Sequence, residues 1–335
     1  MDVGRDITDT STIGWLDHWP TTPRYVQAFW WCQRMIRRRR PRAIIVIDAP
    51  GIGFPVARMG RSLGIPVVYY VTPQTWLWDP EGSVARLRRL TDVVVPAFPF
   101  EAELYRRGGL DVVFEGHPIR DDATSVAAAA HQPNAPDRVT LGLAPGSRRH
   151  AIRRLLPPML DAAGQLRGSG AVTTILVSLA SEALRPDVER LVGERPALGA
   201  TIVEDFAQLL QESTALIAAS GTNLLDTVLA DVPVVACYRI DAVSYWIAEY
   251  VMDLRSRIPA FTVPNLLARQ AVVPELIQSE VTGTRIAWQA LRLLTDEHAR
   301  RAELSGYQLV RAALGEPGVV ERIAAALVRR LPLRQ

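Results

Sequence analysis

The heptapeptide Ser220-Gly221-Thr222-Asn223-Leu224-Leu225-Asp226 combines residue types that can hold an anion beside a sugar. An apolar run, 214–219, precedes it and reads as a buried strand. A helix then begins, with Leu224, Leu225, Val228 and Leu229 on its inner side. Small residues between a strand end and a helix start leave amide N–H groups pointing outward, where the helix dipole favours negative charge. Asp226 lies one helical turn beyond Thr222, within reach of a sugar hydroxyl. Two readings follow: a nucleotide diphosphate at Ser220, Gly221 and Thr222 with its ribose on Asp226, or a capped helix in an ordinary α/β unit.

The elements around this stretch decide how it is held. Apolar runs at 43–47, 67–71 and 93–95 alternate with helical spacing at 56–63, 84–90 and 101–107, and 112–114 reads as a further strand. The stretch 123–137 has no periodicity, with four consecutive alanines and the sequence Gln132-Pro133-Asn134-Ala135-Pro136, and reads as a linker. The alternation then restarts, with strands at 139–143, 173–178, 200–203, 214–219 and 232–237 and a helix at 151–166. This predicts an α/β fold of two Rossmann-like domains, 1–122 and 138–335, facing a cleft, with amphipathic terminal helices over 286–330 in the second. Asp48, Gln74, Gly116, Ser147 and Ser220 all lie just past strand ends, where open parallel sheets bind ligands.

Composition narrows the class. A chain of 335 residues, 48% hydrophobic and 22% charged, suits a globular protein of two domains. No apolar run approaches the roughly 18 residues of a membrane span, and the first residues carry no signal-peptide core. Cys32 and Cys237 read as two buried thiols in a reducing compartment rather than a disulfide, and no Cys/His spacing predicts a metal site. The net charge is only +3, but its positive side is carried by arginine, the better bidentate partner for phosphate. A helix over 25–40 ends in Arg37-Arg38-Arg39-Arg40 before Pro41 and Arg42. That run reads either as a solvated, dipole-compatible helix end or as a patch for anionic membrane headgroups. No aromatic-interleaved basic stripe accompanies it, so nucleic acid is not an expected partner.

Taken together, the motifs resemble the lipid-A-disaccharide synthase family of inverting GT-B glycosyltransferases. The matching stretches are Ile47-Asp48-Ala49-Pro50, the segment Tyr70 to Trp78, Phe98-Pro99-Phe100-Glu101, Gly116-His117-Pro118, Pro145-Gly146-Ser147-Arg148, Ser220-Gly221-Thr222, Val263-Pro264-Asn265-Leu266-Leu267-Ala268 and Val273-Pro274-Glu275-Leu276. The resemblance implies transfer of 2,3-diacylglucosamine from its UDP donor to diacylglucosamine 1-phosphate. It also implies a peripheral site at the cytoplasmic face of the inner membrane, dimerisation through the carboxyl-terminal region, and no cofactor or metal, UDP-sugar being a substrate. The alternatives are another UDP-sugar GT-B enzyme with a different acceptor, or an inactive nucleotide-binding fragment.

Residue by residue, the resemblance makes Asp48 the general base for the acceptor hydroxyl, against the alternative of a carboxylate capping the next helix. Gly146, Ser147 and Arg148, with Ser220, Gly221, Thr222 and Asp226, would hold the nucleotide, and Asn265 and Glu275 would lie near it. Gln74, Trp76 and Trp78 would face the lipid acceptor, or else serve as core aromatics, and His117 reads as structural. Several positions depart from the family pattern. Its opening strand and Gly-Glu-x-Ser-Gly-Asp loop are not matched, so the amino-terminal domain is expected to be incomplete. Gly51 stands for a second Asp, Asp79 for a basic residue, Asp226 for a Glu, and Arg269-Gln270-Ala271 for Gly-Arg-Glu.

Overall fold

The computed structural model describes residues 22–73, 79–121, 138–240 and 260–331. The chain divides into two compact units, Met1–Pro118 with Gly318–Gln335, and Ile119–Pro317. The expected linker 123–137 lies outside the described residues.

The first unit contains α1 (Thr22–Arg39), β1 (Ile44–Ile47), α2 (Pro50–Ser62), β2 (Val67–Tyr70), α3 (Pro80–Leu90), β3 (Val93–Val95) and α4 (Pro99–Arg107). Its described strands form one parallel sheet in the order β1-β2-β3. The strand expected at 112–114 is a single bridge, Val112 against Val94, in which Val94 N–H donates to the Asp111 carbonyl and Val113 N–H to the Val94 carbonyl. One face of the sheet packs on α1, α2, α3 and α4 through Ile44, Val46, Val67, Tyr69, Leu87, Ala102 and Tyr105. The helix α2 starts six residues before its expected beginning. Pro50 sits in its first turn, where a missing N–H costs nothing.

The second unit contains β4 (Thr140–Ala144), α5 (Arg149–Gly168), β5 (Thr174–Ser178), α6 (Arg185–Gly193), β6 (Thr201–Val203), α7 (Phe206–Glu212), β7 (Ala215–Ala219) and α8 (Asn223–Leu229). It continues with β8 (Val234–Tyr238), α9 (Val263–Ala268), β9 (Glu275–Ile277), α10 (Gly283–Thr295) and α11 (Glu297–Leu314). All its strands are parallel, in the order β6-β5-β4-β7-β8-β9. This is a doubly wound sheet whose direction of winding reverses between β4 and β7. Both faces are covered, so the strands read as unbroken apolar runs such as Ala215–Ala219, buried at every position. Leu155, Leu156, Met159, Leu160 and Leu166 of α5 form the main core with Ile175, Ile217 and Ile286, each worth roughly 1.5–3 kcal/mol relative to exposure.

Two expectations are corrected. The terminal helices do not all belong to the second unit. The last, α12 (Val319–Arg330), lays Val319, Ile323, Ala326 and Leu327 on the second face of the first unit's sheet, against Val68, Val93, Val95 and Val113. The run 43–47 is also not buried throughout. β1 is the edge of the described sheet, α12 covers β2 and β3, and Ile45 and Ile47 stay 54% and 64% exposed.

A carboxylate braces the core of the second unit. Glu303 of α11 is buried, and its Oε1 accepts from Val234 N–H at 2.7 Å and from Tyr307 O–H at 2.6 Å. Its Oε2 has no partner. Burial pushes the carboxyl up to about 7, against the hydrogen bonds from Tyr307 and Val234 that favour the charged form. The folded protein therefore holds this proton more tightly than the unfolded chain. The resulting stability is fully present below pH 4.5 and is lost as pH rises through 7. Glu303→Gln is expected to remove this term, about 3 kcal/mol in size. Urea unfolding between pH 4.5 and 8 should then show a shallower fall in stability for the variant than for the natural chain.

Candidate functional site

The loops after β4 and β7 meet where the winding reverses. Helices on either side of such a point leave toward opposite faces of the sheet and open a crevice beyond the strand ends. Pro145-Gly146-Ser147-Arg148 joins β4 to α5, and Ser220-Gly221-Thr222 joins β7 to α8. Gly146 has φ +100°, a conformation that side-chain-bearing residues rarely adopt, and a Cβ there would come within 3.3 Å of the Ala219 Cβ. Glycine thus lets the two loops approach each other. Arg148 is the exposed N-cap residue of α5, with no side-chain cap on the helix, so the first amides point outward. Arg149 and Arg153, a few residues on, are both engaged by Asp187, at 3.2 and 2.9 Å. Arg148 pairs with no carboxylate among the described residues. Its charge acts instead on Tyr238 at the end of β8, opposing the rise in that phenol's pKa caused by burial.

The Ser220 loop is held by a polar brace. Ser220 Oγ donates to the Phe261 carbonyl at 3.0 Å, and Ser220 N–H to the Cys237 carbonyl. Glu275, the first residue of β9, accepts from Phe261 N–H on Oε2 at 3.0 Å and from Thr262 N–H and Thr262 Oγ on Oε1 at 2.9 and 2.7 Å. Asn265 Nδ2 donates to the same Oε1 at 2.8 Å and to the Val273 carbonyl at 2.9 Å. Asn265 Oδ1 accepts from Val272 N–H and Val273 N–H. Asn265 is 4% exposed and its four hydrogen-bonding positions are all used within the protein. Asn265 and Glu275 therefore shape the loop that carries Phe261 rather than present free groups to a ligand.

The first unit contributes a separate constellation. Asp48 follows β1 and is exposed, and its side chain makes no hydrogen bond among the described residues. The N-cap residue of α2 is Ala49, with no side-chain cap, so Asp48 does not cap this helix. Asp48 and Ala49 have φ of 47° and 45°, two successive left-handed residues that cost roughly 1–2 kcal/mol each. The surroundings enforce this turn: Tyr69 O–H donates to the Asp48 carbonyl at 2.9 Å and Asp48 N–H donates to the Tyr70 carbonyl. Gly53 leaves the room, since a Cβ there would lie 2.7 Å from both Tyr69 Oη and Val46. Burial, with the Asp48 charge adding to it, raises the Tyr69 phenol well above its usual range and keeps it a hydrogen-bond donor. His117 stacks on Phe98 with ring centres 5.2 Å apart, and burial lowers its pKa to about 4, so it is neutral at physiological pH. Gln74, Trp76 and Trp78 lie outside the described residues.

The structure thus brings Gly146, Ser147 and Arg148 together with Ser220, Gly221 and Thr222, with Asp226 half-buried in the first turn of α8. Asn265 and Glu275 join them as support. Sequence reasoning missed Tyr238, Phe261 and Thr262, and β9 itself. The visible signal was Thr262 three residues before Asn265, an N-cap spacing, and indeed Thr262 Oγ caps α9 by accepting from Asn265 N–H.

Solved structures with the same architecture include S. aureus MnaA in a co-structure with UDP, at TM-score 0.64 and 15% identity over 92% of this chain and 79% of that one. Acinetobacter baumannii MurG matches at TM-score 0.56 and 18% identity, over 92% and 80%. At this identity they establish the fold, which is GT-B. The family model described as lipid-A-disaccharide synthetase matches residues 4–326. The lipid-A-disaccharide synthase of Anaeromyxobacter dehalogenans (strain 2CP-1) is 33% identical over 320 residues, 94% of this chain and 82% of the relative. That of Myxococcus xanthus is 32% identical over 334 residues, 98% and 85%. The chain belongs to the lipid-A-disaccharide synthase family, glycosyltransferases of lipid A biosynthesis.

Two stability changes test this description of the loops. Asn265→Ala leaves two backbone amides and one carbonyl without partners, and is expected to destabilise the protein by about 2–4 kcal/mol in chemical unfolding. Arg269 ends α9 at φ 54°, a left-handed C-cap that suits glycine and explains the glycine of the family pattern there. Arg269→Gly is expected to raise the unfolding free energy by about 1 kcal/mol.

Proposed function

We propose that the chain transfers 2,3-diacylglucosamine from its UDP conjugate to the 6-hydroxyl of 2,3-diacylglucosamine 1-phosphate, at the cytoplasmic face of the inner membrane. The observation that carries this reading is the pair of loops at the point where the winding reverses, with Arg148 beside them and without a carboxylate partner among the described residues. UDP in the S. aureus MnaA co-structure supports a uridine nucleotide as the ligand of this architecture. Two helix N-termini and one guanidinium supply fixed donors for the diphosphate, with Asp226 on the ribose.

The chemistry asks for little else. The acceptor hydroxyl is a weak nucleophile, and Asp48 takes its proton as the new bond to the anomeric carbon forms. The bond from that carbon to the diphosphate oxygen breaks, and UDP leaves with the bonding electrons. Charge grows on the diphosphate during this step, so donors already in place lower the barrier. The exposed carboxylate of Asp48, without a hydrogen-bond partner among the described residues and on a strained turn, fits a base held ready rather than a structural cap. No helix among the described residues is long and apolar enough to cross a membrane, and a peripheral association is the reading that agrees with a lipid acceptor.

The test is a mass-spectrometric assay with both lipids, alongside UDP titration. Asp48→Asn is expected to lower turnover by roughly 10²–10⁴-fold while leaving UDP affinity within about twofold. Arg148→Ala is expected to weaken UDP binding roughly tenfold or more. Full turnover by Asp48→Asn would overturn the assignment of the base. Unchanged UDP affinity in Arg148→Ala would overturn the placement of the diphosphate.

A further inference from the structure

Three helices of the first unit, α1, α2 and α3, remote in sequence from the Arg148 loops, are one-sided in charge. The sequences of α1, α2 and α3 contain ten arginines and one carboxylate, Glu81, in a protein whose net charge is only +3. Between these helices lies a cavity of about 740 Å³, within the roughly 300–1,000 Å³ of small-molecule sites. Phe29, Phe54, Pro55 and Leu90 form its apolar wall, and Arg58, Arg86 and Arg89 stand around it. The three arginines are exposed, and none has a carboxylate partner among the described residues. The Arg86 guanidinium stacks on the Phe54 ring at 5.1 Å, which fixes a cation at the boundary of the apolar wall.

The neighbouring flank of α1 continues the pattern. Val26 and Trp30, four residues apart, are 48% and 59% exposed. Arg34, Arg37 and Arg38 follow at helical spacing along the same flank and are exposed. Phe29, Cys32 and Ile36 pack inward on the core, and Trp30 touches Phe29 edge to face at 6.0 Å while most of its ring stays exposed. An apolar and aromatic strip bordered by arginine is the arrangement of a helix lying in a membrane interface.

We propose that this face of the first unit docks on an anionic lipid bilayer. Arg58, Arg86 and Arg89 would grip a phosphate headgroup, an acyl chain would enter the cavity against Phe29, Phe54 and Leu90, and Trp30 would sit at headgroup level. The proposal rests on the peripheral-membrane reading above and names the surface and the lipid charge responsible. Charge complementarity selects the occupant: Arg61 is neutralised by Asp92 at 2.6 Å, but Arg58, Arg86 and Arg89 have no carboxylate partner among the described residues, so the face attracts a continuous anionic surface and repels a basic one. The attraction is screened within about 8–10 Å in physiological salt, so contact must be close.

The test uses the full chain and sedimentation with vesicles of phosphatidylcholine alone or mixed with phosphatidylglycerol. The natural chain is expected to partition onto the anionic vesicles, and salt is expected to release it. The triple variant Arg58→Gln, Arg86→Gln, Arg89→Gln is expected to lose roughly 100-fold in partition onto anionic vesicles. The matching triple Arg→Lys variant is expected to recover most of it, an effect that a merely structural role would not give. Trp30→Ser is expected to lower binding to anionic vesicles both in the natural chain and in the triple Arg→Lys variant. UDP affinity and the thermal midpoint of each variant report folding. If the natural chain binds neither kind of vesicle, the peripheral-membrane reading itself falls and the docking face with it. If the natural chain binds anionic vesicles and the folded Gln variant binds equally well, the docking face is wrong and the membrane reading stands.

Discussion

A doubly wound parallel sheet brings every strand's carboxyl end to one edge, and in this protein the second unit depends on that constraint. Its β4 and β7 are neighbours in space but 75 residues apart in their first positions, and the intervening strands wind away on one side only. The loops that leave them must therefore diverge, and a crevice opens between two helix starts. Gly146 makes the arrangement tight enough to matter, because any side chain there would push against Ala219. Backbone amides at two helix starts and the exposed Arg148 guanidinium are then left at the crevice.

What surrounds the crevice is built to hold it still. Glu275 sits at the start of β9 and spends both carboxylate oxygens on the segment 261–265. That segment in turn receives the Ser220 hydroxyl through the Phe261 carbonyl. A buried amide with four satisfied bonds, Asn265, closes the far side of the loop. Such a network is costly to break because each lost partner leaves a buried polar group unpaired. Within the fold these residues hold the loop in position.

The first unit places its chemistry differently. Asp48 stands at the end of the edge strand of the described sheet, on a turn whose two left-handed residues are over-determined by Tyr69, Tyr70 and Gly53. The same sheet carries α12 on its second face, so the carboxyl end of the chain closes the core of the amino-terminal unit. Its arginine-rich helical layer is separate from Asp48 in character: one presents a lone carboxylate, the other a field of positive charge beside an apolar cavity.

Local pattern was enough to identify most strands and helices, since period-2, period-3.6 and fully apolar runs depend on the residues themselves. The same holds for the loops at Gly146 and Ser220, because small residues at a strand-to-helix junction have few other uses. Ile45 and Ile47 could not be read as exposed, as burial of a strand face depends on which distant helix covers it. The attachment of Val319 and Ile323 to the first unit was hidden for the same reason: an amphipathic helix carries no record of its partner. Asn265 and Glu275 were visible as a motif, but which bonds they make was not. Hydrogen-bond partners 8 to 14 residues away are chosen by the path of the loop. The sequence alone determined the alternation, the small-residue loops at the strand ends and the charge of the helices. Tertiary structure decided their neighbours, because burial and pairing are properties of two surfaces and a sequence describes one at a time.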